Sequence, residues 1–335
     1  MRTEYAYGAD IGWLSQLEAN GIKWVNEDMH EVDAIGELKR LGTNAIRLRV
    51  FVNPPVTAIW RKNETTVCML GFCNAEGLLD AAKRVRDEGM RLMIDFHYSD
   101  HFADPDIQDI PDEWRTLSDE ELHAAVHDHT TDILNLLKKN SIEPEWVQVG
   151  NEINHGLMWP RASLSEAPEL MVALLNTGYD AVKEVFPECS VVTHLACLND
   201  QRECDPFLNV FLTNGGKTDI FAFSFYPYWF NCPYDVSFIY AQMKYFRDRI
   251  KKPLLIAEVG GKESEPDQAY EIVRNTIAAG RLLPEGSVQG IFYWEPCAGG
   301  DFLPDHYPLG ASKTVGPKTL QLTETLGAYR DAIKY

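Results

Sequence analysis

Residues 146–152, with the sequence WVQVGNE, give the clearest strand signal in the chain and end on two polar side chains. Aromatic and β-branched residues alternate as far as Val149, which is typical of a buried β-strand, and Gly150 ends the run. Asn151 and Glu152 follow directly. Because an unpaired carboxylate is costly to bury, Glu152 is either a paired structural acid or a catalytic group.

A second stretch of the same kind lies further along the chain. Residues 253–258, PLLIAE, form another apolar run that ends on Glu258. Two strands that each end on a glutamate are the sequence form of a two-carboxylate site, in which one group donates a proton and the other attacks the substrate or activates water. The structural alternative is that Glu152 and Glu258 form ion pairs with Arg47 and Arg49. The repeated strand-end pattern favours catalysis.

The rest of the chain alternates between strand-like and helix-like segments. Apolar strands are predicted near residues 5–10, 44–51, 91–97, 146–149, 191–195, 220–226, 253–258 and 289–294. Helices are predicted at 32–41, at 74–88 after an Asn cap, after a Ser118–Glu121 capping box, from Pro168, at 238–250, from Pro266 and at 322–333. This alternation predicts an α/β fold, a (β/α)8 TIM barrel. No linker divides the chain, so residues 1–335 are predicted to form a single catalytic barrel domain.

Charge and hydropathy argue against several classes of partner. The 335 residues are 45% hydrophobic and carry a formal net charge of −19. Nucleic-acid binding needs a basic face, and anionic membranes repel an acidic protein, so we expect neither partner. The longest apolar run, around 220–230, is shorter than the ~20 residues that span a bilayer. We expect a monomer that acts on a neutral, hydroxyl-rich substrate.

Neither the cysteines nor the histidines show a metal-binding pattern. The seven cysteines lack the paired spacing of a zinc site, and reduced thiols are expected, although a Cys68–Cys73 bridge stays open. Helical spacing places His129 on an apolar face, so the cluster His123, His127 and His129 is assigned to a helix rather than to a metal. The N-terminus has no apolar segment typical of a signal peptide. Both a cytoplasmic protein and a secreted one whose signal was removed stay open.

Polar and aromatic residues gather at the predicted strand ends, where barrels of this kind hold their active sites. The candidate catalytic residues are Glu152 and Glu258, and the candidate substrate-binding residues are Arg47, His97, Asn151, Trp159, Tyr226, Trp229 and Trp294. An arginine and a tyrosine hydroxyl could hold Glu258 ionised, and aromatic rings stack on the apolar faces of sugars. Glu295 is a third strand-end carboxylate and the main rival for either catalytic role. For His97 and Trp114, burial in the core is an equally good interpretation.

Several stretches match one known family in order along nearly the whole chain. They include 46–54 (IRLRVFVNP), 95–100 (DFHYSD), 146–153 (WVQVGNEI), 224–227 (SFYP) and 293–296 (YWEP). They resemble family 53 of the glycoside hydrolases, the endo-β-1,4-galactanases. The resemblance implies a (β/α)8 barrel that cleaves β-1,4-galactan, type I arabinogalactan or galacto-oligosaccharides with retention, with Glu152 as acid/base and Glu258 as nucleophile.

The chain also departs from that family pattern. Phe51 and Phe102 stand where the family usually has tryptophan, and the connection after Glu258 is short. Bacterial members often bind calcium in a long loop between strands seven and eight, and this chain has neither that loop nor a ligand set, so we expect no cofactor. The alternatives are another β-1,4-glycanase, such as a mannanase or glucanase, and a carbohydrate-binding barrel without catalysis.

Overall fold

The computed structural model describes residues 4–334, and its centre is a closed barrel of eight parallel strands. The strands are β1 (Ala6–Asp10), β2 (Ala45–Val50), β3 (Arg91–Phe96), β4 (Trp146–Val149), β5 (Ser190–Leu195), β6 (Ile220–Phe225), β7 (Leu254–Val259) and β8 (Val288–Trp294). Each strand pairs with its neighbours in sequence, and β1 pairs with both β2 and β8 to close the ring. The predicted (β/α)8 barrel is confirmed.

Helices connect most of the strands. They are α1 (Leu14–Ala19), α2 (Ala34–Arg40), α3 (Ala75–Asp87), α4 (Asp119–Lys139), α5 (Pro168–Val185), α6 (Gln201–Thr213), α7 (Pro227–Phe230), α8 (Val236–Ile250), α9 (Pro266–Arg281) and α10 (Gly327–Ile333). The predicted Asn74 cap of α3 and the Ser118–Glu121 capping box of α4 are both present. Pro168 and Pro266 occupy the first positions of their helices, as predicted.

Short elements lie outside the barrel. The strands Lys23–Val25, Glu31–Val32, Ser312–Gly316 and Thr319–Leu322 form one small sheet, and the pairs Ile59–Arg61 with Val67–Met69 and Gly156–Leu157 with Ala162–Ser163 form hairpins. Three 3₁₀ turns span Asp112–Trp114, Gly300–Phe302 and Glu324–Leu326. The long connections follow β2, β3, β4 and β8, as predicted. None of the helices described between residues 4 and 334 is long and apolar enough to cross a membrane.

Two helix predictions are wrong at their N-terminal ends, and α6 and the short α7 were not predicted. Val32 belongs to a strand paired with Trp24, and α2 starts only after the Asp33 cap. The predicted helix 322–333 begins at Gly327, because Leu320 and Leu322 lie in a hairpin strand. α6 was missed because Pro206 lies inside it and obscures its helical pattern.

The barrel lumen is apolar at the N-terminal ends of the strands and polar at the C-terminal ends. The lower layer consists of Ala6, Ala45, Met93, Trp146, Val192, Ile220, Ala222, Leu255, Ala257 and Phe292. Side chains two positions apart on a strand point the same way, so Arg47, Asp95, Gln148, His194 and Ser224 form a buried polar layer above it. On β2 the arginine-bearing face therefore points into the lumen, whereas Ile46 and Leu48 pack against the outer layer.

Candidate active site

A cleft of about 830 Å³ lies above the polar layer and is lined by residues that follow the C-terminal ends of the barrel strands. Both candidate catalytic glutamates line it. Of the candidate substrate-binding residues, the cleft wall includes His97, Asn151, Tyr226, Trp229 and Trp294. Arg47 and Trp159 are not part of the wall.

A bulge at the end of β7 turns Glu258 toward the cleft. Leu255 and Ala257 face the lumen, so simple alternation would point Glu258 outward. The pairing with β6 shifts at this point: Phe223 pairs with Ile256, but Ser224 pairs with Glu258. The extra residue in β7 re-aims the following side chain, a common use of bulges beside active sites.

Two donors hold the Glu258 carboxylate, one at each oxygen. Arg47 Nη1 lies 3.0 Å from Oε1, and the Tyr226 hydroxyl donates to Oε2 at 2.9 Å. Arg47 is completely buried and also forms ion pairs with Asp10 and Asp95. Arg47, predicted to bind substrate, therefore contacts protein groups beneath the cleft and orients Glu258 instead of lining the site.

Glu152 sits on a sharp backbone turn after β4. Gly150 and Glu152 both have positive φ, +81° and +49°, a conformation that costs energy for a residue with a side chain and is often found at functional sites. The turn brings Oε1 to 2.5 Å from the Ser224 hydroxyl oxygen. Ser224 also pairs in register with Glu258 on the neighbouring strand.

The two glutamates differ in how their charge is compensated. Burial raises the pKa of Glu152 well above its ordinary value, and the nearby Glu258 carboxylate raises it further. Burial also raises the pKa of Glu258, but the Arg47 charge and the Tyr226 hydrogen bond oppose that shift. Glu152 is therefore the group that keeps its proton to higher pH, while Glu258 is the better-stabilised anion.

Asn151 and His97 connect the cleft wall to the loop after β3. The Asn151 amide accepts from Arg47 Nη2 at 2.8 Å and donates to the Ala103 carbonyl at 2.9 Å. His97 Nδ1 accepts from the Ala103 backbone N–H at 3.0 Å, and its Nε2 lies 3.0 Å from Asp95 Oδ2. His97 therefore carries its proton on Nε2. The hydrogen bonds from Asn151 and to His97 together fix the position of Ala103.

Aromatic rings form one continuous side of the cleft. The Trp294 ring lies 4.8 Å from Trp13 and 4.7 Å from Tyr307, and Phe102 packs edge-on against both tryptophans. Trp229, on α7, continues the surface toward solvent and is 51% exposed. Trp13, Phe102 and Tyr307 were not among the predicted binding residues, because they come from three separate connections that only barrel closure brings together.

Comparison with known proteins identifies the family of this chain. The Glycosyl hydrolase family 53 model matches residues 6–302. This chain belongs to glycoside hydrolase family 53. It is 30% identical to a Niallia circulans protein named "Uncharacterized protein in bgaB 5'region", over 87% of this chain and 83% of that protein. It is 29% identical to arabinogalactan endo-beta-1,4-galactanase A of Aspergillus niger, over 86% of this chain and 84% of that enzyme.

A solved structure shows the same architecture. The GH53 catalytic domain of Ignisphaera aggregans superposes with a TM-score of 0.83 at 27% identity, over 98% of this chain and 96% of that one. The protein is therefore a glycoside hydrolase with the family 53 barrel.

Three residues that the sequence offered as site candidates, Trp159, Trp114 and Glu295, do not line the cleft of this family 53 hydrolase. Trp159 is half-buried, and its indole N–H donates to the His155 carbonyl at 3.0 Å, so the ring is tied to its own loop. Trp114 is buried, 6.0 Å from the His129 ring. Glu295 is fully buried and bonds Arg49 Nη1 at 2.6 Å and the Trp13 backbone N–H at 2.9 Å. Glu295 supports the aromatic wall from behind and does not reach the cleft.

The rim of the family 53 cleft is acidic. Its carboxylates, apart from the two central glutamates, are Asp104, Asp106, Asp200, Glu203 and Asp305. Lys62 is the only lysine or arginine among the described residues that line the cleft, and it is paired with Asp104 at 2.9 Å. The His155 imidazole lies 2.8 Å from Glu203. The uncompensated charge facing the substrate is negative.

The described residues offer no metal site. No group of three or more His, Cys, Asp and Glu side chains among residues 4–334 could hold an ion. The connection between β7 and α9, which lies between strands seven and eight, spans only residues 260–265. The seven cysteines, all within the described part, are free, and Cys68 and Cys73 are not bridged.

Proposed function

We propose that this family 53 enzyme is an endo-acting β-1,4-galactanase that hydrolyses galactan, type I arabinogalactan and galacto-oligosaccharides with retention of configuration. The observation that carries the proposal is the pair Glu152 and Glu258, which share one cleft but have opposite electrostatic support. One is a partly buried acid that contacts no cation among the described residues, and the other is a carboxylate held by Arg47 and Tyr226. Two carboxyl groups with pKa values pushed apart are the pattern of an acid and a nucleophile.

In the first step, Glu258 attacks the anomeric carbon and the glycosidic C–O bond breaks. Glu152 transfers its proton to the departing oxygen, so the leaving chain departs as a neutral alcohol and a covalent glycosyl–enzyme ester forms on Glu258. Arg47 and the Tyr226 hydroxyl hold the attacking carboxylate in place at distances of 3.0 and 2.9 Å. Asn151, next to Glu152 and in the cleft wall, can bind the hydroxyl beside the reacting carbon.

In the second step, water replaces the departed chain. The Glu152 carboxylate takes one water proton while the water oxygen attacks the anomeric carbon, and the bond to Glu258 breaks. Retention requires carboxyl groups ~5–5.5 Å apart. Such a separation is supported by Ser224, which pairs with Glu258 across neighbouring strands and contacts Glu152 at 2.5 Å.

Internal cleavage is supported by the layout of the cleft. Trp60 follows β2 and Trp229 follows β6, and these strands lie on opposite sides of the eight-strand ring. A chain that crosses the barrel end between them can extend past the glutamates in both directions. The name of the Aspergillus niger relative supports galactan as that chain.

The test compares polysaccharides and follows products over time. We expect cleavage of potato galactan, with a series of oligosaccharides appearing early and a β-anomer as the first product seen by NMR. Equal or faster cleavage of mannan or a cellulose derivative would move the enzyme to another β-1,4-glycanase specificity. An α-anomer as first product would contradict retention.

A further inference from the structure

A series of hydrogen-bonded, buried side chains leads from Glu152 into the polar layer of the barrel. The Ser224 oxygen lies 2.5 Å from Glu152 Oε1 and 2.9 Å from His194 Nε2. On the other side of the imidazole, His194 Nδ1 lies 2.8 Å from Asn151 Oδ1. His194 is fully buried and Ser224 nearly so, hence water does not compete for these contacts. The position of each hydrogen in this series follows from the donors and acceptors available at each atom.

The acceptor at the far end fixes the tautomer of His194. Asn151 Oδ1 accepts from Arg47 Nη2, and the Asn151 amide nitrogen donates to the Ala103 carbonyl, so the oxygen faces His194. An oxygen lone pair 2.8 Å from a bare ring nitrogen would be repulsive. His194 Nδ1 therefore carries the hydrogen and donates to Asn151.

The competing donor at this nitrogen is better satisfied elsewhere. Gln148 Nε2 lies 3.2 Å from His194 Nδ1, but it is 2.6 Å from Asp95 Oδ1 and 3.0 Å from both the Gly150 carbonyl and Asn151 Oδ1. An amide nitrogen has two hydrogens, and these three closer oxygen acceptors leave neither for His194.

The opposite ring nitrogen is bare. Burial lowers the pKa of His194 well below its ordinary value, and the charge of Arg47 adds to that shift while Asp95 opposes it. The imidazole is thus neutral, and with its hydrogen on Nδ1 it can only accept at Nε2. The single hydroxyl hydrogen of Ser224 is the donor available there.

We propose that Ser224 and His194 are positioning residues that keep Glu152 in its protonated form: Ser224 donates its hydrogen to His194 and so accepts the hydrogen of Glu152. The proposal rests on the acid/base role of Glu152 proposed above. The charged groups that act on Glu152 are Glu258 and Asp104, which favour the neutral acid, and Arg47, which opposes it. If the Ser224 hydroxyl accepts from Glu152, the contact favours the neutral acid. If it donates to Glu152, the contact favours the carboxylate.

The arrangement also favours recovery of the acid during turnover. Once Glu152 has given its proton to the leaving group, Ser224 must rotate its hydroxyl toward the new carboxylate. The buried His194 Nε2 then loses its only donor, which is unfavourable. When the attacking water returns a proton to Glu152, Ser224 turns back and every group is paired again.

The test is the sign of a pKa change in Ser224→Ala. The alkaline limb of kcat/KM against pH reports deprotonation of the acid. If Ser224 accepts from protonated Glu152, its removal moves that limb to lower pH by about 0.5–1 unit, the size of one neutral hydrogen bond. If Ser224 donates to a carboxylate, the limb moves to higher pH, and the proposal is wrong. Ser287→Ala, at the opposite end of the barrel, should leave the profile unchanged.

A second variant tests His194 separately. His194→Phe keeps a ring but removes the bare nitrogen, so Ser224 becomes free to donate to Glu152 and the limb again moves to lower pH. In the double variant the limb should match that of Ser224→Ala, because His194 acts only through the serine. A further shift in the double variant would contradict this order. Should His194→Phe not fold, the sign in Ser224→Ala still decides.

A titration without substrate separates this proposal from the proposed function. Infrared difference spectra against Glu152→Gln follow the protonation of Glu152 directly, whether or not galactan is cleaved. A wild-type enzyme that leaves galactan intact would end the galactanase assignment. An unchanged or raised Glu152 pKa in Ser224→Ala would overturn the positioning role alone.

Discussion

Arg47 and Glu258 form an ion pair of 3.0 Å that joins β2 to β7 across the barrel. The guanidinium is wholly buried and also bonds Asp10 and Asp95, so it anchors three carboxylates in one layer. Because a buried arginine is difficult to deprotonate or move, it fixes both the charge and the orientation of Glu258. Within the described part of the chain, Glu152 contacts no such cation. This asymmetry leads to separate predictions for the two glutamates.

Replacing either glutamate should abolish hydrolysis. We expect Glu152→Ala and Glu258→Ala each to lower kcat/KM on galactan by about 10³-fold or more, the loss typical of a missing catalytic carboxylate. Circular dichroism should show an intact fold, and Glu188→Ala, an exposed glutamate, serves as the matched control.

Azide distinguishes the two roles. In Glu258→Ala it should enter the vacated space and give an α-glycosyl azide, because it attacks from the side of the lost nucleophile. In Glu152→Ala it should attack the glycosyl–enzyme ester and give the β-azide. The reverse pattern of products would exchange the two assignments.

Removing the Tyr226 hydroxyl should act on the acidic side of the pH profile. In Tyr226→Phe, Glu258 loses a donor at Oε2, and a hydrogen bond to a charged group contributes about 1.5–3 kcal/mol. We expect kcat/KM to fall about 10- to 100-fold. The lost bond favours the protonated form of Glu258, so the acidic limb should move to higher pH. Tyr179→Phe, whose hydroxyl bonds Asp219 outside the cleft, should leave the limb in place.

Glu295 should affect stability and not chemistry. Burial raises its pKa to about 8 despite the neighbouring Arg49, against an ordinary value of 4.5. The folded protein therefore holds this proton more tightly than the unfolded chain. Its contribution to stability is complete below pH 4.5 and is lost as pH rises to about 8.

Glu295→Gln tests both statements. The variant cannot lose a proton at this position, so the difference in Tm from the wild type should change in its favour between pH 5 and about 8. Hydrolysis of galactan should remain within about tenfold of the wild type. A loss as large as that of Glu258→Ala would make Glu295 a catalytic residue.

Trp229 should matter for long chains. Its exposed ring lies in the cleft wall after β6, whereas its neighbour Tyr228 is exposed but outside the wall. We expect Trp229→Ala to raise KM for galactan about three- to tenfold, the size of one stacking contact, with kcat retained. Tyr228→Ala should have no such effect. An equal loss on galactobiose derivatives would place Trp229 beside the scissile bond instead.

Local sequence carried the prediction of the strands and of both glutamates, because each depends on a pattern within one strand. The bulge at Ala257–Glu258 depends on how β7 pairs with β6, which no single strand encodes. Ser224 and His194 could be placed on lumen-facing positions by alternation with Ala222 and Val192, but their contact requires the register of β5 against β6.

Trp159 shows that a local sequence pattern does not fix the direction of a side chain in a long loop. It follows a strand end, which favoured substrate binding, yet the hairpin of Gly156–Leu157 with Ala162–Ser163 folds its loop so that the indole bonds His155. Position after a strand therefore indicates the face of the barrel but not the direction of a side chain in a long loop.

The acidic rim should make the enzyme discriminate against charged chains. Asp106 and Asp200 are exposed in the cleft wall, and no lysine or arginine between residues 4 and 334 pairs with either, so a uronate on the substrate meets like charge. We expect kcat/KM for an oligogalactoside that carries one galacturonate unit to be lower than for a neutral chain of equal length. Asp106→Asn and Asp200→Asn should each reduce that difference about two- to fivefold, the strength of a single exposed charge interaction. Asp132→Asn, on the exposed face of α4, should not reduce it.

Raising the ionic strength from ~0.1 M to 1 M shortens the screening length from about 10 to 3 Å and should also reduce the difference. A preference against the uronate that persists unchanged at 1 M salt would mean that shape, and not charge, excludes it.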